Sequence, residues 1–516
     1  MNTDFKSNRI LSLDFFRGIA ILGVVIVHLV IIGIFYAVDN GLNVLPVTVL
    51  AFFAPLIVFA PMAGLFVFIS ALANGITVQK RIAKGGSFKN SIQPLLITGI
   101  VLLIVHFIYI AFFKEQMPTI FNPDFAPGGL FPVLLIKRSW PGFTLDHFLM
   151  IDAFAMIMES VFFVLLLSFF VFHPKNKRSV ESRLRFLLIF AIVWTFLSPF
   201  LWACSLKAME FFYYQKNIWL RLPAIFLSFF AGKMHPITTI APFAIFGLWF
   251  SVFLFQSPDY LTLRRETYKV SGILAGMALI SLLFKAFLCF AKETAVYRFF
   301  HAVGIVEAFS MNAPAKLPHI DPRSSIEAGD FMNSVLNFIV VPPEWVFIAM
   351  IICFLFYPKF IKAFDYQTDE RKAYLAKKIQ PIRRFGTLSL TIFFFECMVQ
   401  TLFSQFYRSF LIPHLKNTEF FGFLFRSPFY VTPKEQIALF DDFMVMWPVW
   451  ILYLATAIGF WFLILYLWEK AGYKGSFEWL IYRMTGSFRK IKSDKMAAAT
   501  DTAIYSRDKQ TGKGAE

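Results

Sequence analysis

Asp14, Arg17 and His28 stand in a stretch that is otherwise apolar, "LSLDFFRGIAILGVVIVHLVIIGIFYAV", residues 11–38. On an α-helix the eleven positions from Arg17 to His28 make three turns plus about 20°, and about 16 Å along the axis. The two therefore share a face. Asp14 falls within about 60° of it, so the three residues form a polar line along one helix. A charge at the centre of a bilayer costs about 2.5–3.5 kcal/mol on insertion scales, and ionisable residues there usually face a cavity or a partner. The functional reading is a catalytic or substrate-conducting face. The structural one is a first-turn Asp that suits the helix dipole, an Arg that snorkels to the rim, and a neutral, hydrogen-bonded packing His. The residue types leave both open.

A second polar pair lies far along the chain. Glu396 and Gln400 are four apart, hence on one helix face, about twelve residues into an apolar run. They read either as a cavity lining or as a structural hydrogen bond. His106, in the outer half of another run, reads as structural. Asp146, His147, Asp152 and Glu159 cluster where a further run begins; an acceptor site or a capped helix start would both use them. Lys285 is placed to snorkel, and Glu344, after Pro342 and Pro343, suits a first helical turn. No Walker loop, dinucleotide fingerprint, nucleophile elbow or zinc motif is present. The four cysteines, Cys204, Cys289, Cys353 and Cys397, share no ligand-like spacing, which argues against a metal site.

The elements that must position these groups follow from composition. Of 516 residues, 58% are hydrophobic, 69 are Phe and only 16% are charged, well below the usual quarter for soluble domains. The chain is therefore an all-α, polytopic membrane protein, since helices satisfy their own backbone in lipid. With about 20 apolar residues per crossing, ten spans are expected, at 16–38, 47–73, 91–113, 148–172, 186–206, 236–256, 270–291, 341–358, 385–411 and 444–468. The run 218–232 contains Arg221 and Pro223 and is assigned to the interface or to a re-entrant segment. The net charge of +17 excludes little by itself, and no nucleic-acid module appears. One alternate set of loops holds 27 Lys and Arg in 96 residues and the other 14 in 152. The denser set, with both termini, is placed in the cytoplasm. Residues 1–492 form one membrane domain and 493–516 a disordered tail.

The first stretch resembles a known family. "LDFFRGIAILGVVIVH" is similar to the first-helix signature LDxxRGxA of the acyltransferase-3 family, in which ten residues separate the arginine from a histidine. Arg17 and His28 reproduce that spacing. The stretch also resembles the opening of the heparan-α-glucosaminide N-acetyltransferase family and of a prokaryotic ten-helix family of unknown function, grouped as one transmembrane acyltransferase superfamily. "GLFVFISALANGITVQKR", 64–81, is similar to PLFxFLSG, with Ser70 matching. "FGTLSLTIFFFECMVQTLF", 385–403, resembles GRMALTNYLLQS, with Gly386, Leu390 and Thr391 matching and Glu396 in place of a Gln. "GSFEWLIYRMT", 475–485, resembles GPLEWLxR, with Glu478 and Trp479 matching. The last two segments favour the unknown-function branch.

The resemblance implies transfer of an acyl group, acetyl above all, from cytoplasmic acyl-CoA to an extracytoplasmic glycan or envelope molecule at the plasma membrane. His28 is then a general base or a transient acyl acceptor. Arg17 contacts the donor's phosphates or thioester carbonyl, with Asp14 beside it. Ser70, Lys80, Arg81, Glu396 and Gln400 are the candidate substrate and donor contacts, although Lys80 and Arg81 also fit a plain positive-inside loop. No permanently bound cofactor is expected. Two other classes stay open: a transporter or flippase lined by Asp14, Arg17, His28 and Glu396, and a non-enzymatic membrane protein of the same fold.

Overall fold

In a computed structural model the described residues are 10–30, 62–114, 129–137, 140, 144–149, 151, 153–232, 236–290, 343–407, 410 and 447–484. Among them the chain is all-helical. The long helices are α1 (Leu11–Val30), α2 (Met62–Ala83) and α3 (Phe88–Phe112). After the short α4 (Leu130–Lys137) and α5 (Leu145–Phe148) come α6 (Ala153–Val171), α7 (Val180–Tyr213), α8 (Ile218–Ala231), α9 (Ile237–Leu254) and α10 (Tyr260–Phe290). The last group is α11 (Pro343–Phe364), α12 (Asp369–Lys378), α13 (Gln380–Thr387), α14 (Ser389–Phe406), α15 (Trp447–Lys470) and α16 (Phe477–Met484). Eight of these are long and apolar enough to cross a membrane, or nine if α13 and α14 count as one bent span. The protein is a multi-pass membrane protein.

The centre of the bundle is α9, apolar on every side and buried along its length, as expected of a helix with no solvent or lipid face. Helices α2, α6 and α7 surround it. Glycines permit the closest approach: a Cβ on Gly247 would lie 2.3 Å from the Phe68 carbonyl oxygen, and one on Gly75 2.2 Å from Ser251 Oγ. Small residues serve this purpose between membrane helices. Phe68, Phe250, Phe354 and Tyr357 interlock around the same level.

Each expected span overlaps a helix, though eight or nine qualify as crossings; residues 31–38 of the first lie outside the described residues, and two spans differ in form. The second was expected at 47–73; residues 47–61 lie outside the described residues, and α2 continues to Ala83. Its polar second half is held because Gln79 Nε2 donates to the Gly75 carbonyl and to Ser251 Oγ, at 3.2 and 3.4 Å. The ninth, expected as one helix over 385–411, is broken at Leu388 by 85°. Charge counting had put loop 114–147 and segment 469–495 on opposite faces of the membrane. Yet the Phe394 ring touches both Phe113 (4.4 Å) and Phe477 (4.5 Å), so α16 is drawn in from the end of α15 to the far end of α3. Loop charge does not report depth where a helix turns back into the bundle.

Two residues read separately in the sequence prove to be partners. Lys285 Nζ lies 3.1 Å from Glu344 Oε1 and Ser281 Oγ donates to Oε2 at 2.9 Å, joining α10 to α11 across two apolar faces. The run 218–232 is α8, packed on α7, with Trp219 and Phe226 exposed. The tail from 493 and Asp152 lie outside the described residues, as does the Asp146 side chain.

Candidate functional site

The site is built from α1 outward. The first N–H groups of a helix have no partner within it, and at α1 they are met from far away: Leu11 N donates to Asp365 Oδ1 at 2.7 Å and Ser12 N to Oδ2 at 3.3 Å. Asp365 follows α11, so this cap ties the end of one helix to the start of another. Burial pushes the Asp365 carboxyl up to about 6, against the pull of the N–H groups. A folded-state value above the usual one means that the native state binds the proton more tightly. The stabilisation is then complete below about pH 4 and is lost as the pH rises through 6. Asp365→Asn, which cannot ionise, is expected to remove this dependence. Thermal melts in detergent should show the wild type gaining on the variant between pH 7 and pH 4.

About two turns further, α1 meets α13 almost backbone to backbone. A Cβ on Gly18 would sit 2.1 Å from the Ile382 carbonyl oxygen, and one on Gly386 2.9 Å from Gly18 N. This contact brings the two ends of the polar motifs together. Arg383 Nη2 lies 3.5 Å from Asp14 Oδ2, and Arg17 Nη2 donates to Ser389 Oγ at 3.4 Å. The neighbouring Arg384 turns the other way, with Nε 2.7 Å from Glu469 Oε2 on α15, where Gln380 also bonds. Helix α13 is thus pinned between α1 and α15 by adjacent arginines.

The break at Leu388 starts a new helix, whose orphan N–H groups are again met by a distant carboxylate. Leu390 N and Thr391 N donate to Glu478 Oε1, and Thr391 Oγ1 donates to Oε2 at 2.6 Å. Phe477 N in turn donates to Thr391 Oγ1 at 3.0 Å. Burial raises the Glu478 carboxyl above the usual range despite these bonds. The cap explains how a helix can begin inside an apolar bundle: without it several N–H groups would be desolvated and unmet.

Helix α14 then carries Glu396 to His28. Glu396 Oε1 lies 3.2 Å from His28 Nδ1 and accepts from Gln400 Nε2 at 2.9 Å. Glu396 is 1% exposed and the His28 side chain 35%, so one face of the imidazole is open while the carboxylate is enclosed. The approach has ion-pair distance but not the alignment of a hydrogen bond. Beside it Tyr109 OH lies 2.8 Å from Cys397 Sγ, joining α3 to α14. Phe393, one turn before Glu396, rests on Phe66 and Phe154.

The expected site residues therefore fall into four places. His28, Glu396 and Gln400 meet. Asp14 and Arg17 meet the α13–α14 junction, about 16 Å from His28 by the rise of α1. Ser70 is half-buried one turn from Phe66, on the part of α2 that reaches α14. Lys80 and Arg81 lie about 20 Å further along α2 from Phe66, where Arg81 Nη1 donates to the Ser91 carbonyl in the first turn of α3 at 3.4 Å. The structure does not bring those two to His28. His106 is buried between Phe107 and Phe229, and His147 receives Thr144 N at 3.1 Å.

The sequence reading had no role for Asp365, Arg383, Ser389 or Glu469. Pro381 at the start of α13 and the shift from "KKIQPIRR" to an apolar run mark an interrupted helix, the one available signal. Among the described residues no group of His, Cys, Asp and Glu is arranged to hold a metal ion. Compared with known proteins, the chain matches no family model, no curated protein and no solved structure.

Proposed function

We propose that the chain is a membrane acyltransferase that moves an acyl group, acetyl above all, from cytoplasmic acyl-CoA to a hydroxyl or amine of an extracytoplasmic envelope molecule. The single observation that carries the reading is the His28–Glu396 contact, a half-open imidazole backed by an enclosed carboxylate. Ten crossings, counting α2 and the bent α13–α14 pair, with both termini cytoplasmic in the plasma membrane, complete the proposal.

The Glu396 charge 3.2 Å from Nδ1 favours a proton on that nitrogen once the contact aligns in the substrate complex, which leaves the Nε2 lone pair as the base. The acceptor oxygen or nitrogen gives its proton to Nε2 as it attacks the thioester carbonyl carbon. The tetrahedral adduct then collapses, the C–S bond breaks, and the departing CoA sulfur takes the proton from the imidazolium. Glu396 steadies that imidazolium, and Gln400 holds Glu396 in place. Arg17 is too far along α1 to reach the same carbonyl. Its guanidinium suits the donor's phosphates, so the donor lies along the polar face of α1.

One observation favours a second reading. A broken helix, as α13–α14 is, recurs at the substrate sites of transporters. Proteoliposomes given doubly labelled acetyl-CoA separate the two. Acyl transfer predicts acetylated acceptor and free CoA thiol in equal amounts, with the CoA label retained on its own side. Passage of intact labelled solute without thiol release would favour transport.

A further inference from the structure

Helices α10 and α11 run antiparallel, paired by Lys362 with Tyr260 at one end and by Lys285 with Glu344 at the other. At the Tyr260 end the basic groups are held by aromatic rings. Lys362 Nζ is 4.7 Å from the Tyr260 ring centre, the Arg264 guanidinium 5.1 Å from Tyr268, and Lys359 Nζ 4.8 Å from Phe356. Tyr260 also lies within electrostatic reach of Arg264. All three cations are exposed.

Among the described residues none of the three forms an ion pair with an acidic side chain. Glu266 is paired with Arg265 and Lys269, and Asp259, which keeps its charge, accepts from Thr262 N and Oγ1 at the start of α10. One to two turns below Lys359, toward the middle of α11, the surface is apolar and open, with Ile352 and Phe356. A rim of fixed cations over an apolar, lipid-facing stripe matches a molecule with an anionic head and hydrocarbon tails.

We propose that the Tyr260 end of the α10–α11 pair is a binding site for an anionic phospholipid, its phosphate held by Arg264, Lys359 and Lys362. The rings fix the cations in place and so reduce the side-chain entropy lost on binding. This sets the site apart from the basic helix α12, where Lys377 and Lys378 are exposed with no apolar stripe beneath them. The site is independent of the His28–Glu396 pair.

Native mass spectrometry of the full-length protein in detergent tests this, with phosphatidylglycerol and phosphatidylethanolamine as probes. Wild type is expected to retain phosphatidylglycerol preferentially, and the triple variant Arg264→Gln, Lys359→Gln, Lys362→Gln to bind it about 100-fold more weakly, at roughly 1 kcal/mol per cation. The variant Lys377→Gln, Lys378→Gln should bind as wild type does. Equal retention of both lipids, no loss in the triple variant, an equal loss in the α12 variant, or displacement by inorganic phosphate would each overturn the proposal. Should the triple variant not fold, wild type with photoactivatable phosphatidylglycerol decides: labelling should fall within 256–276 and 349–366, and labelling elsewhere overturns it.

Discussion

His28→Ala is expected to lower acyl transfer by about 10²–10⁴-fold, the usual worth of a positioned general base, while the protein still inserts and melts close to wild type. The imidazole is half-exposed, and its loss leaves Glu396 with the Gln400 bond, so little packing is given up. Glu396→Gln should fall nearly as far, because an amide cannot steady the imidazolium. If the two act as one unit, the double variant is no worse than the worse single one, whereas independent roles would multiply. Rates with labelled acetyl-CoA for the four proteins, beside their melting curves, distinguish these outcomes. A packing histidine would show the opposite pattern, with stability lost and the rate per folded molecule kept.

The second large effect is on stability. Gly18→Ala places a methyl 2.1 Å from the Ile382 carbonyl oxygen, a backbone atom that cannot rotate away, so α1 and α13 must separate. Overpacking of this kind costs about 1–3 kcal/mol and occasionally more, and Gly18→Leu should prevent folding. Gly386→Ala, with its nearest contact at 2.9 Å, should cost less. Gly459 in α15 is the control: nothing lies within 4 Å of its Cβ position, so Gly459→Ala should be neutral or gain about 0.5–1 kcal/mol from helix propensity. Melting temperatures in one detergent check the order. Parting α1 from α13 also pulls Asp14 and Arg17 off Arg383 and Ser389, so activity should fall with stability.

The polar face of α1 and the i, i+4 relation of Glu396 to Gln400 were legible because both follow from the period of one helix. That His28 and Glu396 touch was not, since 368 residues separate them and each alone also fits a packing role. The cap residues stayed hidden for a related reason. Glu478 and Asp365 each sit in a polar segment next to an apolar run, where an acidic residue looks solvated, and only the fold shows that each meets the start of a distant helix. The break at Leu388 has the same origin, because the bend is held by Glu478 from outside the segment that bends. Three stretches singled out by resemblance, around Arg17, Gly386 and Glu478, come together in space through Gly18, Ser389 and Thr391. Their assembly at one junction supports reading them as parts of one device, with α13 as the piece that joins them.

The central claim is that His28, backed by Glu396, moves an acyl group. Purified full-length protein in lipid nanodiscs, given acetyl-CoA labelled in the acetyl group together with envelope extract, tests it most directly. The account predicts label on an envelope molecule, an equal amount of free CoA thiol, and both products lowered by about 10²–10⁴-fold with His28→Ala. A folded wild-type protein that neither binds, hydrolyses nor transfers from any acyl-CoA would contradict it.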